Sequence, residues 1–214
     1  MKPSTTLLTF EDWTLRVLPS PAKRILLMLH GWTGDENSMW VFARNFPTDY
    51  YIIAPRAPYP APETGYSWRA PAPRGSWPTL DLMRPSAEAL LDLLEAFGRA
   101  YGLDASTVDV IGFSQGGAMT FTLGWLYPQR IRKMGILAGF APQGAEDRFQ
   151  PTLLSGKHVF VAHGTQDTMV PLAMAQRTIH LLQSAGATVT YSESHVGHKL
   201  SAEGLAALET YLRL

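Results

Sequence analysis

Short apolar runs separated by segments of helical period constrain this chain more than any other feature. Arg24–His30, Tyr51–Ala54, Thr107–Phe113, Lys133–Ala138 and His158–Ala162 are each nearly continuous in hydrophobic residues, and most end at Gly or Pro. Runs of that length without polar alternation suit parallel strands covered on both faces. Trp13–Leu18 alternates instead, as a half-covered strand does. Between the runs, Ser38–Phe46, Ser86–Tyr101, Gln115–Tyr127, Leu172–Ala185 and Ala202–Leu212 repeat their apolar residues at helical spacing. Ser86 and Ser201 read as N-caps, and Gly102 and Gly186 stand where C-caps are expected. Strand and helix in alternation predict an α/β fold around a mostly parallel sheet flanked by helices. No break in composition divides the chain, so residues 1–214 are expected to form one domain.

Composition narrows the chemistry. The 18 basic and 18 acidic residues balance to zero and form no basic stripe, which speaks against nucleic acid as a partner. The absence of cysteine excludes disulfides, a thiol nucleophile and thiolate metal sites. The longest apolar run is too short for stable membrane insertion and no signal core opens the chain, so a soluble, cytoplasmic protein is expected.

One segment breaks the pattern. Residues 56–85, "RAPYPAPETGYSWRAPAPRGSWPTLDLMRP", hold seven prolines and no clear period. Loops this long inside a compact fold are commonly functional. Their aromatic residues argue for an ordered loop, expected to deliver Trp68, Trp77 and Met83 to a substrate pocket. The other fates for the two tryptophans are a satellite core under the loop or a homodimer contact. Arg69 and Arg74 are either partners for an acidic substrate group or solvated loop cations.

The chemistry begins at "GFSQGGAMT". Gly112-Phe113-Ser114-Gln115-Gly116 follows an apolar run and opens a helix, which is the pattern of a nucleophile elbow. Such a turn lifts the serine hydroxyl above the sheet edge, and the glycines let backbone approach without Cβ clashes. The bland alternative is a glycine-rich turn with a capping serine, and the strand-to-helix junction favours the catalytic reading over it. Partners follow. Asp167 lies just past the run "VFVAHG", and His198 lies past the strand-like "YSES" and before the last helix. Each of the three falls at the end of a strand, which a parallel sheet gathers at its C-terminal edge. The order Ser, Asp, His is that of the α/β-hydrolases. His195 is the rival base, but Gly197 favours His198 as the residue at the loop tip. A metal pair at His195 and His198 lacks a third ligand at a familiar spacing. The run ending "LMLHGWTGDE" supplies the loop that carries a second oxyanion donor, so the amides of Trp32 and Gln115 are the expected pair. His30 is expected to brace that loop.

Taken together, "LHGWTGDE", "APRAPYP", "IGFSQGGAM", "HGTQDTMVP" and "VGHKLSAEGL" resemble the carboxylesterase/phospholipase family of α/β-hydrolases that includes the acyl-protein thioesterases. The likeness runs from about residue 24 to the C-terminus. It departs at Trp32, where leucine is common, and at "SWRAPAPRGSW". The resemblance implies an α/β-hydrolase fold without a large cap domain, a Ser114–Asp167–His198 triad and a small acyl ester, thioester or lysophospholipid substrate, with no cofactor. The alternatives are a non-catalytic binding module on the same fold, an acyltransferase or another hydrolase using the same triad.

Overall fold

The computed structural model describes residues 4–73 and 75–214. Strands β1 (Thr6–Phe10), β2 (Trp13–Leu18), β3 (Arg24–Leu29) and β4 (Tyr51–Pro55) come first. The two-residue strands β5 (Tyr59–Pro60) and β6 (Tyr66–Ser67) form a separate antiparallel ladder. Then follow α1 (Leu80–Tyr101), β7 (Asp104–Phe113), α2 (Gln115–Leu126), β8 (Ile131–Leu137), β9 (His158–Gly164), α3 (Leu172–Ser184), β10 (Thr188–Ser194) and α4 (Ala202–Arg213). The main sheet has eight strands in the order β1-β2-β4-β3-β7-β8-β9-β10. From β4 to β10 every pairing is parallel, while β2 runs antiparallel to both its neighbours. Its helices and strands make this the α/β-hydrolase fold.

The apolar runs are continuous because both faces of the sheet are covered. In β3, Ile25, Leu27 and Leu29 join the core under α1, α2 and α3. Leu26 and Met28 face the other way, with Leu208, Tyr211 and Leu212 of α4. The strand period of two sends alternate residues to opposite cores. Helix α2 is buried around its whole circumference, residues 115–125 included. Among the described residues, no helix is long and apolar enough to cross a membrane.

Three elements differ from the sequence reading. The segment 38–46 is not one helix but two short 3-10 turns, Ser38–Val41 and Ala43–Asn45. Strand β1 was not anticipated, because its residues are mostly exposed at the sheet edge. Helix α1 starts six residues before Ser86, so residues 80–85 belong to it rather than to the loop. Thr79 is its N-cap and accepts from the Leu82 amide, and Pro85 lies inside the helix. A proline there removes one helical hydrogen bond. Buried Leu80 and Met83 offset that loss by seating the first turns on the core. Ser201, Gly102 and Gly186 cap as expected: Ser201 Oγ accepts from the Gly204 amide, and the two glycines adopt positive φ.

The elbow depends on close backbone contact. A Cβ built on Gly116 would lie 2.1 Å from the Leu29 carbonyl oxygen and 2.6 Å from that of His30. All of those atoms are backbone, so nothing can swing aside. Gly116→Ala is therefore expected to cost about 3 kcal/mol of unfolding free energy in urea titration, the upper end of ordinary overpacking. A loss below about 1 kcal/mol would mean that α2 can lift from β3 freely.

Candidate active site

Ser114 occupies the junction of β7 and α2 with φ 55° and ψ −116°, a conformation that non-glycine residues seldom adopt. Its amide donates to the Leu137 carbonyl at 2.8 Å, and its carbonyl accepts from the Ala118 amide to open α2. The elbow is thus pinned to β8 on one side and to the helix on the other. Gly112 explains itself by the same geometry as Gly116: a Cβ on it would meet the Gly116 carbonyl oxygen at 2.1 Å.

The structure brings Asp167 and His198 together. Asp167 is buried and follows β9, and His198 follows β10. The His198 Nδ1 lies 2.7 Å from Asp167 Oδ2. A carboxylate accepts only, so Nδ1 carries the hydrogen. The other carboxylate oxygen, Oδ1, accepts from the amides of Met169 and Val170 at 2.9 Å each, which fixes the plane of the carboxylate. Buried His163 adds a strap that sequence reasoning missed, donating from Nε2 to the Val170 carbonyl at 2.9 Å. The two loops close on each other through Thr165 N to Ser194 O and Gln166 N to Val196 O. Gly164 permits this, since a Cβ there would fall 2.2 Å from the Val196 oxygen.

His198 reaches the elbow through Phe113, the residue before Ser114, whose ring centroid lies 4.9 Å from the imidazole. His195 stands elsewhere. It is exposed, and its Nδ1 lies 3.2 Å from the Thr165 hydroxyl.

The loop after β3 is held residue by residue. A Cβ on Gly31 would lie 3.4 Å from Ser114 Cβ, which places this loop beside the serine. His30 is buried, with Nδ1 2.7 Å from the Gly31 carbonyl and Nε2 accepting from the Ala57 amide at 3.0 Å. That pair of partners requires the neutral tautomer protonated on Nδ1. The bracing role expected of His30 is what its contacts describe. Thr33 takes a positive φ of 67° and donates its amide to Tyr66 O, while the Tyr66 amide donates to Gly34 O. At the loop's far end, buried Glu36 receives a bidentate pair from Arg56, at 2.8 and 3.0 Å. Burial alone would raise the Glu36 carboxyl, but the Arg56 guanidinium outweighs it and holds the group below its ordinary value. The Arg56 guanidinium also covers the Tyr66 ring at 4.6 Å. This ion pair was not anticipated; an acid and an arginine each beside an apolar run were its one signal. Gln115, the first residue of α2, follows Ser114 in the chain, and Trp32 follows Gly31, the residue whose built Cβ approaches Ser114. Trp32 is 54% exposed. The amide of Gln115 has no acceptor within its helix.

Two of the three residues expected to wall the pocket are corrected. Trp68 and Met83 are both 0% exposed, and each packs in the core beneath α1 and α2. The Trp68 indole N–H donates to the His30 carbonyl at 2.8 Å, so this aromatic found a buried acceptor rather than a surface. Trp77 is half-buried and packs edge-on against Phe140 at 4.9 Å. Arg69 braces its own loop, donating to the Ser76 carbonyl and hydroxyl. Arg74 lies outside the described residues.

Residues 18–214 match the model of the Phospholipase/Carboxylesterase family. The chain belongs to that family. A probable carboxylesterase SOBER1-like from Arabidopsis thaliana is 29% identical over 218 residues, covering 93% of this chain and 81% of the relative. Among solved structures, a Bacillus cereus carboxylesterase superposes with a TM-score of 0.84 at 20% identity, over 95% of this chain and 94% of the other. A Mesorhizobium loti carboxylesterase gives 0.83 at 21%, over 98% of each chain. At those identities the structures speak for the fold. Membership of the family supports hydrolysis of ester substrates.

Burial lowers the His30 pKa below its ordinary value of 6.5, against a smaller upward pull from the Gly31 carbonyl. The unfolded chain then takes up this proton at a higher pH than the folded one does. Stability from neutral His30 is complete above about 6.5 and is lost as pH falls below it. Between about pH 7.5 and pH 5, wild type should lose more unfolding free energy in urea than His30→Asn does. An equal loss in both would show that His30 is not the titrating group.

Proposed function

We propose that the protein is a serine hydrolase of carboxylic esters, working through Ser114, His198 and Asp167 and an acyl-enzyme. The observation that carries this reading is the strained Ser114 elbow set beside the bonded His198–Asp167 pair. Strain of this kind persists where its surroundings over-determine it, and it clusters at reactive residues.

His198 Nε2 removes the Ser114 proton as Oγ attacks the acyl carbonyl. The tetrahedral oxyanion accepts hydrogen bonds from the amides of Trp32 and Gln115, with the N-terminus of α2 adding its dipole. One such donor is typically worth about 2.7–4 kcal/mol of barrier. Collapse expels the alkoxide, which takes the proton from His198. Water then attacks the acyl-enzyme, giving its proton to His198, and the acid leaves with Ser114 restored. Asp167 steadies the imidazolium, and its two amide donors keep Oδ2 free for that one partner. A thioester or a lysophospholipid fits the same sequence of steps, since each changes the leaving group and not the carbonyl chemistry. Similarity to a protein named as a probable carboxylesterase supports the oxygen-ester reading.

Ser114→Ala and His198→Ala should each lower kcat for a p-nitrophenyl ester by at least about 10⁴-fold, with the circular dichroism of the wild type. Asp167→Asn should fall by about 10⁴-fold as well. His195→Ala should stay within about twofold, since a surface substitution away from the site perturbs little. A fluorophosphonate probe is expected to label wild type at Ser114. Unlabelled wild type, or an inactive His195→Ala beside an active His198→Ala, would refute the assignment. Rates on matched oxygen esters, thioesters and lysophospholipids would then rank the leaving groups.

A further inference from the structure

The two expected oxyanion donors sit on different elements, and something must hold them at one separation. The contact of Gly116 with Leu29 and His30 sets the height of α2 over the end of β3. Trp32 lies two residues beyond that contact, in a loop whose own side chain at this position faces solvent. The segment Tyr66–Ser67–Trp68 bridges the gap. On one side it holds the loop after β3: Tyr66 exchanges two backbone hydrogen bonds with Thr33 and Gly34, at 3.0 and 2.9 Å. The Trp68 indole N–H adds its bond to the His30 carbonyl. Gly65 makes the approach sterically feasible, because a Cβ there would lie 1.9 Å from the Thr33 oxygen. On the other side the same segment holds Gln115. The Gln115 Oε1 accepts from the Trp68 amide at 2.9 Å, and its Nε2 donates to Ser67 Oγ at 3.1 Å.

Gln115 thus couples the backbone amide expected to serve the oxyanion to a buried carboxamide held by the strap. Its side chain is 5% exposed and satisfied by that strap on both its oxygen and its nitrogen. We infer that Ser67, Trp68 and Gln115 are positioning residues, a buried strap that fixes the Trp32 amide relative to the Gln115 amide. The inference rests on the esterase reading of Ser114. It assigns the aromatic part of the long loop to holding the oxyanion site together rather than to lining an acyl pocket.

Two variants remove the strap from opposite ends while keeping both backbone amides. Gln115→Leu deletes the carboxamide, and Trp68→Phe deletes the indole N–H. The readout is kcat/KM for a p-nitrophenyl ester and for its thiono counterpart, in which sulfur replaces the carbonyl oxygen. A hole built for oxygen discriminates against the larger, weaker acceptor, and that discrimination depends on donor placement. A misplaced donor costs about 10- to 100-fold in rate. Both variants should therefore lose about 10- to 100-fold in kcat for the oxygen ester with KM little changed. Their oxygen-to-thiono ratio should fall by at least about tenfold. A proportional loss on both substrates would mean that the strap serves stability alone, and the inference would be overturned. Wild-type ratios and rates in both variants would overturn it too. Full activity in Ser114→Ala would instead remove the esterase reading, and the strap's catalytic meaning with it.

Discussion

Backbone packed on backbone, at the crossing of α2 over the end of β3, is the constraint on which the rest of the site depends. Gly116 has no room for a single methyl against the Leu29 carbonyl, and Gly112 has none against Gly116. The helix start is thereby held against the strand end at a distance that no side chain can mediate. Ser114 sits between them at a positive φ. Packing density makes this placement reproducible, since a close-packed interior transmits displacement instead of absorbing it.

Around that crossing, polar groups that would be liabilities in a dry core are satisfied by one another. The His30 ring donates a hydrogen bond to the Gly31 carbonyl and accepts one from the Ala57 amide, and the His30 carbonyl accepts from the Trp68 indole. Gln115 meets Trp68 and Ser67, Glu36 meets Arg56, and Asp167 meets two amides and His198. An unpaired buried polar group costs about 1–3 kcal/mol, so each of these pairs resists displacement. A buried network stays rigid when all its members are paired. Rigidity is what an oxyanion site needs, because donors that must reorient during the reaction stabilise the transition state less.

The polar and aromatic contents of the long loop divide accordingly. Tyr66, Ser67 and Trp68 are drawn inward by hydrogen-bond demand from His30, Gly34 and Gln115. Met83 is drawn inward because it belongs to the first turns of α1 and not to a loop. Arg69 turns back on Ser76. Partial exposure remains at Trp77, which leans on Phe140.

The chain's own order of residues determined every strand of the main sheet but β1, along with its parallel character, the elbow and the loops that carry Asp167 and His198. These depend on local period and on Gly-x-Ser-x-Gly at a strand–helix junction, both of which are written in adjacent residues. Helix caps at Ser201, Gly102 and Gly186 were legible for the same reason. The start of α1 was not, because Pro85 argues locally for a break and the burial of Leu80 and Met83 argues against it from across the fold. Nor was the fate of Trp68 legible, since a tryptophan's sequence neighbours say nothing of which carbonyl its N–H will find. His30, Ser67, Trp68 and Gln115 lie up to 85 positions apart in the chain and meet through hydrogen bonds that span 38 to 48 of them. Local chemistry set which residues could react; only the folded chain decided which ones hold them in place, because a buried donor is satisfied by whatever acceptor the packing of distant segments brings within 3 Å.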